Sequence, residues 1–546
     1  MSGARRKFWG WGLEGQGLSE TEADALRARV AAQYGVAELG QVSVPRVEEI
    51  ELRRPRLEAP GTLAAICTTD PYERLVHSYG KSFPDSVRIF RREVPNPPDV
   101  VAYPESEEEV AAVLDWVDSV GAAAIPFGGG SSVCGGVEPA VGSDYSGSVS
   151  IDMAKLNAVL EVDHDSRAAR IQAGAFGPHL EAQLKPHGYT LRHFPQSFEH
   201  STLGGWIATR SGGHFATLYT HIDDFVESTR MVTPQGIMES RRLPGSGAGP
   251  SPDRMVIGSE GILGVITEAW VRVQDRPTFR ASQAVRFDSL PKGALAVRAL
   301  AQAGLYPSNC RLIDGAEAAG AGAVDDDGAL LVLGFESGDH PVDAWMSRAL
   351  ELASDFGGSY QEAVSGEESH REGAVGSWRD AFIRGPFFRE VLVPAGVLSD
   401  TFETAITWDR FDSFHAEIKE EMARVLEEVS GRPGRVTCRF THAYPDGPAP
   451  YFTFQALGNF DGALDQWRQI KAASNDLVVR LGGTVTHHHA VGRDHRPGYD
   501  KQRPELFARA LAAAKHSIDP GGIMNPGVLI DPVGKTVGVT GAMAEK

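Results

Sequence analysis

The sequence predicts an α+β protein with two lobes and a helical N-terminal region. The chain has 546 residues, more than one core accommodates at roughly 100–200 residues per domain. Short β-rich runs alternate with helical runs over residues 97–274. Over residues 277–494, strands and helices follow in mixed order, which is typical of an antiparallel sheet with helices on one side. We therefore predict a mainly helical region over residues 1–92, a first lobe over 93–275, a second lobe over 276–494, and a segment over 495–546 that returns to the first lobe.

The individual elements follow from composition and periodicity. A Glu/Ala/Arg-rich stretch at 19–34 fits an amphipathic helix, and a second helix is expected at 107–120. Strands of the first lobe are predicted at 100–103, 124–127, 149–152, 170–173, 229–232 and 264–273. The second lobe should contain strands at 329–335 and 451–456 and helices at 342–356 and 413–429, followed by a tail helix at 503–517.

Composition excludes several classes of function. A net charge of −19 argues against nucleic acid as a partner, because phosphate backbones require clustered Lys and Arg. The four cysteines form no CxxC pair, so we expect buried thiols rather than a metal or disulfide framework. We find no signal peptide, no apolar run of the ~20 residues that span a bilayer, and no Ser-Lys-Leu type peroxisomal signal. A cytoplasmic location is expected.

Three loops rich in small residues border the predicted strands and helices of the first lobe, at 126–133, 200–213 and 258–267. Consecutive glycines let backbone N–H groups approach an anion, which can hold a pyrophosphate without clustered positive charge. Neither GxGxxG nor a Walker A sequence is present, so nicotinamide and ATP sites lack support. The three loops indicate one extended dinucleotide. The predicted contact residues are Pro126, Gly128, Gly129, Gly130, Ser131, Ser132, Ser201, Thr202, Gly204, Gly205, Ser211, Glu260, Gly261, Gly264, Val265 and Ile266.

In this order the loops resemble the FAD-binding lobe of the vanillyl-alcohol-oxidase superfamily. The segment from Asp519 to Gly527 resembles the part of these proteins that returns to the flavin lobe. The resemblance implies a two-lobed fold with non-covalent FAD and an antiparallel-sheet cap domain over the flavin ring. Specificity should then lie in residues 277–494.

Two families of this superfamily compete. FAD-dependent 2-hydroxyacid dehydrogenases hold a divalent metal with His and Glu side chains. This chain keeps their first histidine as His442, but Tyr451 lies near the place of the second, and His488 stands where they carry the Glu. Both departures resemble the alkyldihydroxyacetonephosphate synthase family, whose pattern has an aromatic strand and three successive histidines. We also expect His487–His489 to form a strand with alternating faces, which is poor geometry for a metal, so no metal is predicted.

The synthase resemblance implies an exchange without net redox change. The acyl group of an acyl-dihydroxyacetone phosphate is replaced by a long-chain fatty alcohol, giving an ether lipid precursor. Catalytic roles are expected for Tyr451, His487, His488 and His489, and phosphate binding for Arg311 and Arg389. For each arginine the alternative is a salt bridge within the cap.

Two other functions stay open from the sequence. One is an FAD-dependent oxidase or dehydrogenase of a 2-hydroxyacid or alcohol, which would reduce an electron acceptor. The other is a non-catalytic flavoprotein or lipid carrier, which would bind FAD without exchanging alcohol for acid. Besides small lipid substrates, a homodimer and peripheral contact with a membrane are expected.

Overall fold

Residues 5–92 form an arm and a group of short helices. The computed structural model describes residues 5–219, 221–320, 328–360, 364–365, 373–535 and 537. Helix α1 begins after Ser19, whose hydroxyl and the Glu22 carboxylate form a capping box, so the helix predicted at 19–34 is confirmed. The helices and strand of this region are α1 (Glu20–Gln33), β1 (Cys67–Thr68), α2 (Pro71–Val76) and α3 (Phe83–Phe90).

The arm before α1 forms ion pairs with both lobes. Arg6 pairs with the buried Asp152 of the first lobe. One residue later, the Lys7 ammonium lies 2.8 Å from the Glu390 carboxylate of the second lobe, which also accepts the Trp11 N–H at 2.8 Å. The arm therefore packs against both lobes at once.

The first lobe combines a small parallel sheet with an antiparallel one. In the described part of the chain the first sheet has the order β1-β2-β4-β3, with β2, β4 and β3 parallel. The second has the order β5-β6-β10-β8-β9 and is antiparallel throughout. Strands β7 and β11 form a separate pair. The elements are β2 (Val100–Ala102), α4 (Glu107–Ser119), β3 (Ala123–Phe127), β4 (Ser148–Asp152), β5 (Val159–Asp163), β6 (Ala168–Gln172), α5 (Gly177–Leu184), β7 (Tyr189–Thr190), α6 (Leu203–Thr209), α7 (Ala216–Tyr219), α8 (Ile222–Phe225), β8 (Val226–Thr233), β9 (Gly236–Glu239), α9 (Pro252–Val256), β10 (Val265–Arg272) and β11 (Gln274–Asp275).

The second lobe is an antiparallel sheet covered by helices. Over the described residues its strand order is β15-β12-β14-β13-β17-β18-β16. The elements are β12 (Phe279–Phe287), α10 (Leu290–Gln302), β13 (Asn309–Asp314), α11 (Gly315–Gly320), β14 (Ala329–Ser337), α12 (Asp343–Asp355), β15 (Val364–Ser365), α13 (Gly373–Leu392), β16 (Val397–Glu403), α14 (Trp408–Ser430), β17 (Arg435–Ala443), β18 (Pro448–Leu457) and α15 (Ala463–Arg480).

Alternation along β17 and β18 gives this sheet two different faces. Cys438, Phe440, Phe452 and Phe454 are buried in the core beneath α10, α12, α14 and α15. Because successive side chains of a strand point to opposite faces, the odd-numbered residues face the other way. Those residues are polar or amphipathic, and they line a cavity between the lobes: Thr437, Arg439, Thr441, Tyr451, Thr453 and Gln455.

The C-terminal segment, α16 (Arg496–Gln502) and α17 (Glu505–Ile518), runs back onto the first lobe. Ala124 of β3 donates to the Ile523 carbonyl at 2.8 Å, and its own carbonyl accepts the Asn525 N–H at 2.9 Å. The buried Lys515 ammonium donates to the Ile262 and Met524 carbonyls. These bonds complete one edge of the small parallel sheet.

The fold class predicted from the sequence is confirmed. Each predicted strand and helix corresponds to an observed element, except the strand expected at 487–489; β1, β5, β7, β9, β11, β12, β13, β15, β16 and β17 were not predicted. Strand formation depends on partners that are distant in sequence, so local composition signals it weakly. Of the helices in the described residues, none combines the length and apolar character needed to cross a bilayer. The four cysteines are free, and Cys134, Cys310 and Cys438 are buried.

Candidate active site

A cavity of about 600 Å³ lies between the loops of the first lobe and the polar face of the cap sheet, a size suited to a cofactor or substrate. The N-terminal region closes one side with Trp11, Leu26 and Val30. Two of the three predicted small-residue loops reach the cavity, as do the cap strands β13, β16, β17 and β18.

The first two loops pack directly on each other. A Cβ on Gly129 would lie 1.9 Å from the His200 carbonyl oxygen, and one on Gly128 would lie 2.4 Å from the Thr202 hydroxyl. Gly130 has φ of +69°, a left-handed conformation that glycine adopts without strain. Close packing therefore favours glycine at Gly128 and Gly129, and the left-handed backbone favours it at Gly130.

The loops leave space for an extended ligand on their cavity side. A Cβ on Gly205 would meet only the Thr202 hydroxyl, at 3.3 Å, so this glycine faces open space. Backbone at Gly128–Gly130 and hydroxyl groups at Ser131 and Ser132 line the same wall. This combination of glycine backbone and hydroxyl donors suits the pyrophosphate and ring system of FAD.

The structure separates the predicted cofactor residues into two groups. Nine line the cavity: Gly128, Gly129, Gly130, Ser131, Ser132, Ser201, Thr202, Gly205 and Ser211. Pro126, Gly204, Glu260, Gly261, Gly264, Val265 and Ile266 are not part of its lining. Glu260 instead accepts the N–H groups of Val491 and Gly492 at 2.9 and 2.7 Å, and burial raises its pKa to about 7. For both groups the cofactor contact stays a prediction.

The histidines at 487–489 are held by one buried carboxylate. Glu403, at the end of β16, accepts the backbone N–H groups of all three residues and the Thr486 hydroxyl at 2.5 Å. Burial opposes its ionisation, but His488, the other histidines and the Thr486 bond hold the pKa of Glu403 well below its usual value. An ionised Glu403 therefore lies directly behind the histidine loop.

The expectation that these histidines form a strand is wrong. Residues 487–489 form a bend in a loop between α15 and α16, because all three amides turn toward Glu403. His488 and His489 both line the cavity, whereas His487 does not. The predicted sharing of one face by His487 and His489 is consequently also wrong.

Tyr451 lies beside the two cavity-lining histidines. Its ring centroid is 6.0 Å from that of His488 and 5.5 Å from that of His489, and the Arg439 guanidinium lies 3.9 Å from the Tyr451 ring centroid. Burial raises the pKa of Tyr451 and lowers the pKa of both histidines, so the phenol is protonated and the imidazoles neutral. The group therefore offers a proton donor beside proton acceptors.

A further histidine, His442, brings three ring nitrogens close together. Nitrogen atoms of His442, His487 and His488 lie within 4.8 Å of one another, a grouping that could hold a metal ion. Both nitrogens of His442, however, face hydrogen-bonding groups, the Thr441 hydroxyl at 3.0 Å and the Gly213 carbonyl at 3.2 Å. A carbonyl partner requires N–H at that nitrogen, so His442 is poorly prepared to be a ligand.

Two buried guanidinium groups face the cavity beside this cluster. Glu317 pairs with Arg439 and accepts the Thr437 hydroxyl at 3.0 Å. Burial lowers the pKa of Arg311 to about 9, and repulsion from Arg439 is the second cause of this shift. Both arginines line the cavity, and guanidinium groups suit an anionic ligand.

Arg389, the other predicted phosphate ligand, also lines the cavity but is held by the protein. Its guanidinium donates to the Lys81 carbonyl at 2.7 Å and pairs with Asp400, which in turn accepts the Trp467 N–H at 2.8 Å. The salt bridge anticipated as the alternative is thus present at Arg389.

Comparison with known proteins identifies the family. Residues 98–240 match the model of an FAD binding domain, and residues 276–529 match that of the C-terminal domain of FAD linked oxidases. Alkyldihydroxyacetonephosphate synthase of Dictyostelium discoideum is 30% identical over 490 residues, covering 85% of this chain and 78% of that protein. The chain belongs to the alkyldihydroxyacetonephosphate synthase family. The synthase of Trypanosoma brucei brucei is 28% identical, covering 84% of this chain and 78% of that protein.

Solved structures agree with this assignment. A synthase structure superimposes with a TM-score of 0.78 at 26% identity, covering 95% of this chain and 98% of that one. The structure of p-cresol methylhydroxylase has a TM-score of 0.67 at 13% identity, covering 95% of this chain and 99% of the other, and shows the shared fold. This chain is an FAD-dependent enzyme of the synthase type.

Two residues central to the site were missed in the sequence. Arg439 could have been found from the alternation of polar and apolar residues in Thr437-Cys438-Arg439-Phe440-Thr441, which places it on the face opposite Phe440. Glu403 gives no comparable signal, because its role depends on a loop 84 residues later in the chain.

Proposed function

We propose that this enzyme exchanges the acyl group of acyl-dihydroxyacetone phosphate for a long-chain alcohol in the cavity between the two lobes. The observation that carries the proposal is the meeting of Tyr451, His488 and His489 with a pair of buried arginines opposite the FAD-binding loops. When bound, FAD supplies a nucleophile and electron sink for C1 of the substrate.

The arginines bind the substrate phosphate in this proposal. Arg311 and Arg439 are buried, and both line the same cavity as Tyr451. Guanidinium groups bind phosphate oxygens through paired N–H donors, so they orient the substrate as well as attract it. Arg389 also lines the cavity, but its guanidinium is paired with Asp400, so we assign it a smaller part in phosphate binding.

Tyr451, His488 and His489 handle protons at the reacting carbon. The bond between C1 and the acyl oxygen breaks, the fatty acid leaves, and a bond from C1 to the alcohol oxygen forms. The alcohol proton must be accepted, which neutral His488 or His489 can do. Protonated Tyr451 lies beside both rings and can donate a proton at the reacting carbon. His487 does not line the cavity, so any catalytic role of His487 in this proposal is exerted through its neighbours.

The FAD is held without a covalent bond in our proposal. Cys134 follows the first FAD loop, but its thiol donates to the His489 carbonyl at 3.2 Å, and burial raises its pKa well above the usual value. A protonated, buried thiol is a poor nucleophile. Acid precipitation should release all flavin into the supernatant, and colour retained in the pellet would contradict this.

The alternative, metal-assisted oxidation of a 2-hydroxyacid, is supported in the site by the grouping of His442, His487 and His488. The hydrogen bonds of His442 argue against it. The homodimer and the peripheral membrane contact stay predictions.

The decisive experiment compares two substrates with the same flavin-loaded enzyme. Purified protein is incubated with palmitoyl-dihydroxyacetone phosphate and labelled hexadecanol, and separately with D-2-hydroxyacids and a dye acceptor. We expect labelled ether product and free palmitate without acceptor reduction. Reduction of the acceptor by a hydroxyacid, with no ether product, would reject the proposal.

A further inference from the structure

A row of hydrogen-bonded side chains leads away from the cavity toward the protein surface. His488 lines the cavity, and its Nδ1 lies 3.2 Å from Nδ1 of His487. Nε2 of His487 lies 3.0 Å from the Tyr444 hydroxyl, which lies 2.5 Å from Nε2 of His221. Nδ1 of His221 faces the Arg210 carbonyl at 3.3 Å. These contacts form a continuous path that crosses from the cap to the first lobe.

One arrangement of protons satisfies every contact with neutral rings. The Arg210 carbonyl can only accept, so His221 carries its proton on Nδ1 and accepts the Tyr444 hydroxyl proton at Nε2. Tyr444 then accepts from Nε2–H of His487, whose Nδ1 accepts from Nδ1–H of His488. This assignment leaves Nε2 of His488 without a proton and able to act as a base.

The far end of the path is open. Tyr444 lines a second cavity, of about 250 Å³, that shares no lining residue with the first. His221 is half-buried and borders the exposed side chain of Arg210, with Asp223 and Asp224 nearby. The long bond from His221 to the Arg210 carbonyl is solvent-exposed and can be exchanged for a bond to water.

The reaction needs such an exit, because alcohol and ester are converted into ether and fatty acid, and a fatty acid ionises near neutral pH. Each turnover therefore releases one proton from a buried site.

We propose that His487, Tyr444 and His221 relay this proton from His488 to solvent. As His488 accepts the alcohol proton at Nε2, its Nδ1 proton passes to Nδ1 of His487. The Nε2 proton of His487 passes to the Tyr444 hydroxyl oxygen, and the hydroxyl proton of Tyr444 passes to Nε2 of His221. The Nδ1 proton of His221 then passes to water. No electrons are exchanged. The inference rests on the proposed function for the identity of the proton.

Charged groups on both sides support the transfer. The Glu403 carboxylate lies 3.6 Å from Nδ1 of His488 and can stabilise a transient positive charge on that ring. At the outer end, burial lowers the pKa of His221, so this ring is neutral between transfers, while the bond to the Arg210 carbonyl and the charge of Asp223 partly offset burial. Burial also keeps Tyr444 protonated, so its hydroxyl remains both a donor and an acceptor.

The test uses Tyr444→Phe and His221→Gln in the flavin-loaded enzyme, measured by the exchange assay in weak and in concentrated imidazole buffer. We expect kcat to fall roughly a hundred-fold in weak buffer, and to recover as imidazole is added, with KM and FAD content unchanged. Tyr306→Phe and His187→Gln, at exposed positions, serve as matched controls. Unchanged kcat in both variants, or a loss that no buffer restores, would overturn the relay.

A second measurement does not depend on turnover. In protein with ¹⁵N-labelled histidine, the nitrogen shifts should show His221 and His488 protonated at Nδ1 and His487 at Nε2. Tyr444→Phe should shift the signals of His221 and His487, while Tyr306→Phe should not. A His488 protonated at Nε2 would contradict the relay, whereas absence of exchange by the wild-type enzyme would instead reject the proposed reaction.

Discussion

The Arg439 guanidinium lies 3.9 Å from the ring centroid of Tyr451 while it also pairs with Glu317. The contact joins the arginine pair to the proton-transfer group, because Tyr451 in turn lies beside His488 and His489. Cation–π contacts of this kind strengthen when they are removed from water. In the proposed function, the residues that orient the substrate and those that transfer protons are thus neighbours on β17 and β18.

Removing the proton-transfer groups should reduce turnover without affecting the cofactor. Tyr451→Phe and His489→Ala should each lower kcat by about 10²–10⁴, the usual contribution of a positioned acid or base. FAD content should match the wild type, because neither residue belongs to the FAD-binding loops. Absorbance spectra and exchange rates check this, with Tyr306→Phe as the control. Full activity in both variants would refute the assignment.

Replacing the buried arginines should weaken binding of the phosphorylated substrate. Arg311→Ala and Arg439→Ala should raise KM by roughly 10- to 100-fold, since hydrogen bonds to charged groups contribute about 1.5–3 kcal/mol. Arg389→Ala should raise KM less and lower the thermal midpoint, because it removes the bonds to Asp400 and the Lys81 carbonyl. Steady-state kinetics and thermal unfolding separate these effects. An unchanged KM for all three variants would place the phosphate elsewhere.

Gly129→Val should abolish FAD loading. Its Cβ would lie 1.9 Å from the His200 carbonyl oxygen, so the two loops would have to separate. The matched control is Gly40→Val, where a Cβ meets nothing within 4 Å. Flavin absorbance per protein, read beside the circular dichroism spectrum, checks the effect. A folded Gly129→Val protein with full flavin content would show that the loop does not hold FAD.

Chelation should leave the exchange reaction unaffected. His442 uses its nitrogens in bonds to the Thr441 hydroxyl and the Gly213 carbonyl, and our mechanism requires no metal. Dialysis against EDTA, followed by assay with and without added zinc or manganese, tests this. Activity that is lost on dialysis and restored by either metal would favour the hydroxyacid dehydrogenase instead.

A feature of the fold or the site could be predicted from the sequence when it is determined by residues that lie close together in the chain. The predicted FAD loop was recognisable because its glycines, at 128–130, follow one another directly in the sequence and occupy positions where a Cβ would collide with neighbouring atoms. The histidine triplet was recognised, but its backbone was predicted wrongly, since its shape is set by Glu403, which lies far away in the sequence. Arg439 and the strands β13, β16 and β17 were missed because their positions depend on the assembled sheet.

The bonds between Ala124 and residues 523–525 have a consequence for biogenesis. The strand that leads into the glycine loop obtains one of its neighbours only after nearly the whole polypeptide has been synthesised. A nascent chain on the ribosome therefore lacks one neighbour of this strand, and we expect flavin to be captured only late in maturation. Truncation before Met524 should yield a colourless protein even though every loop that contacts the flavin is present.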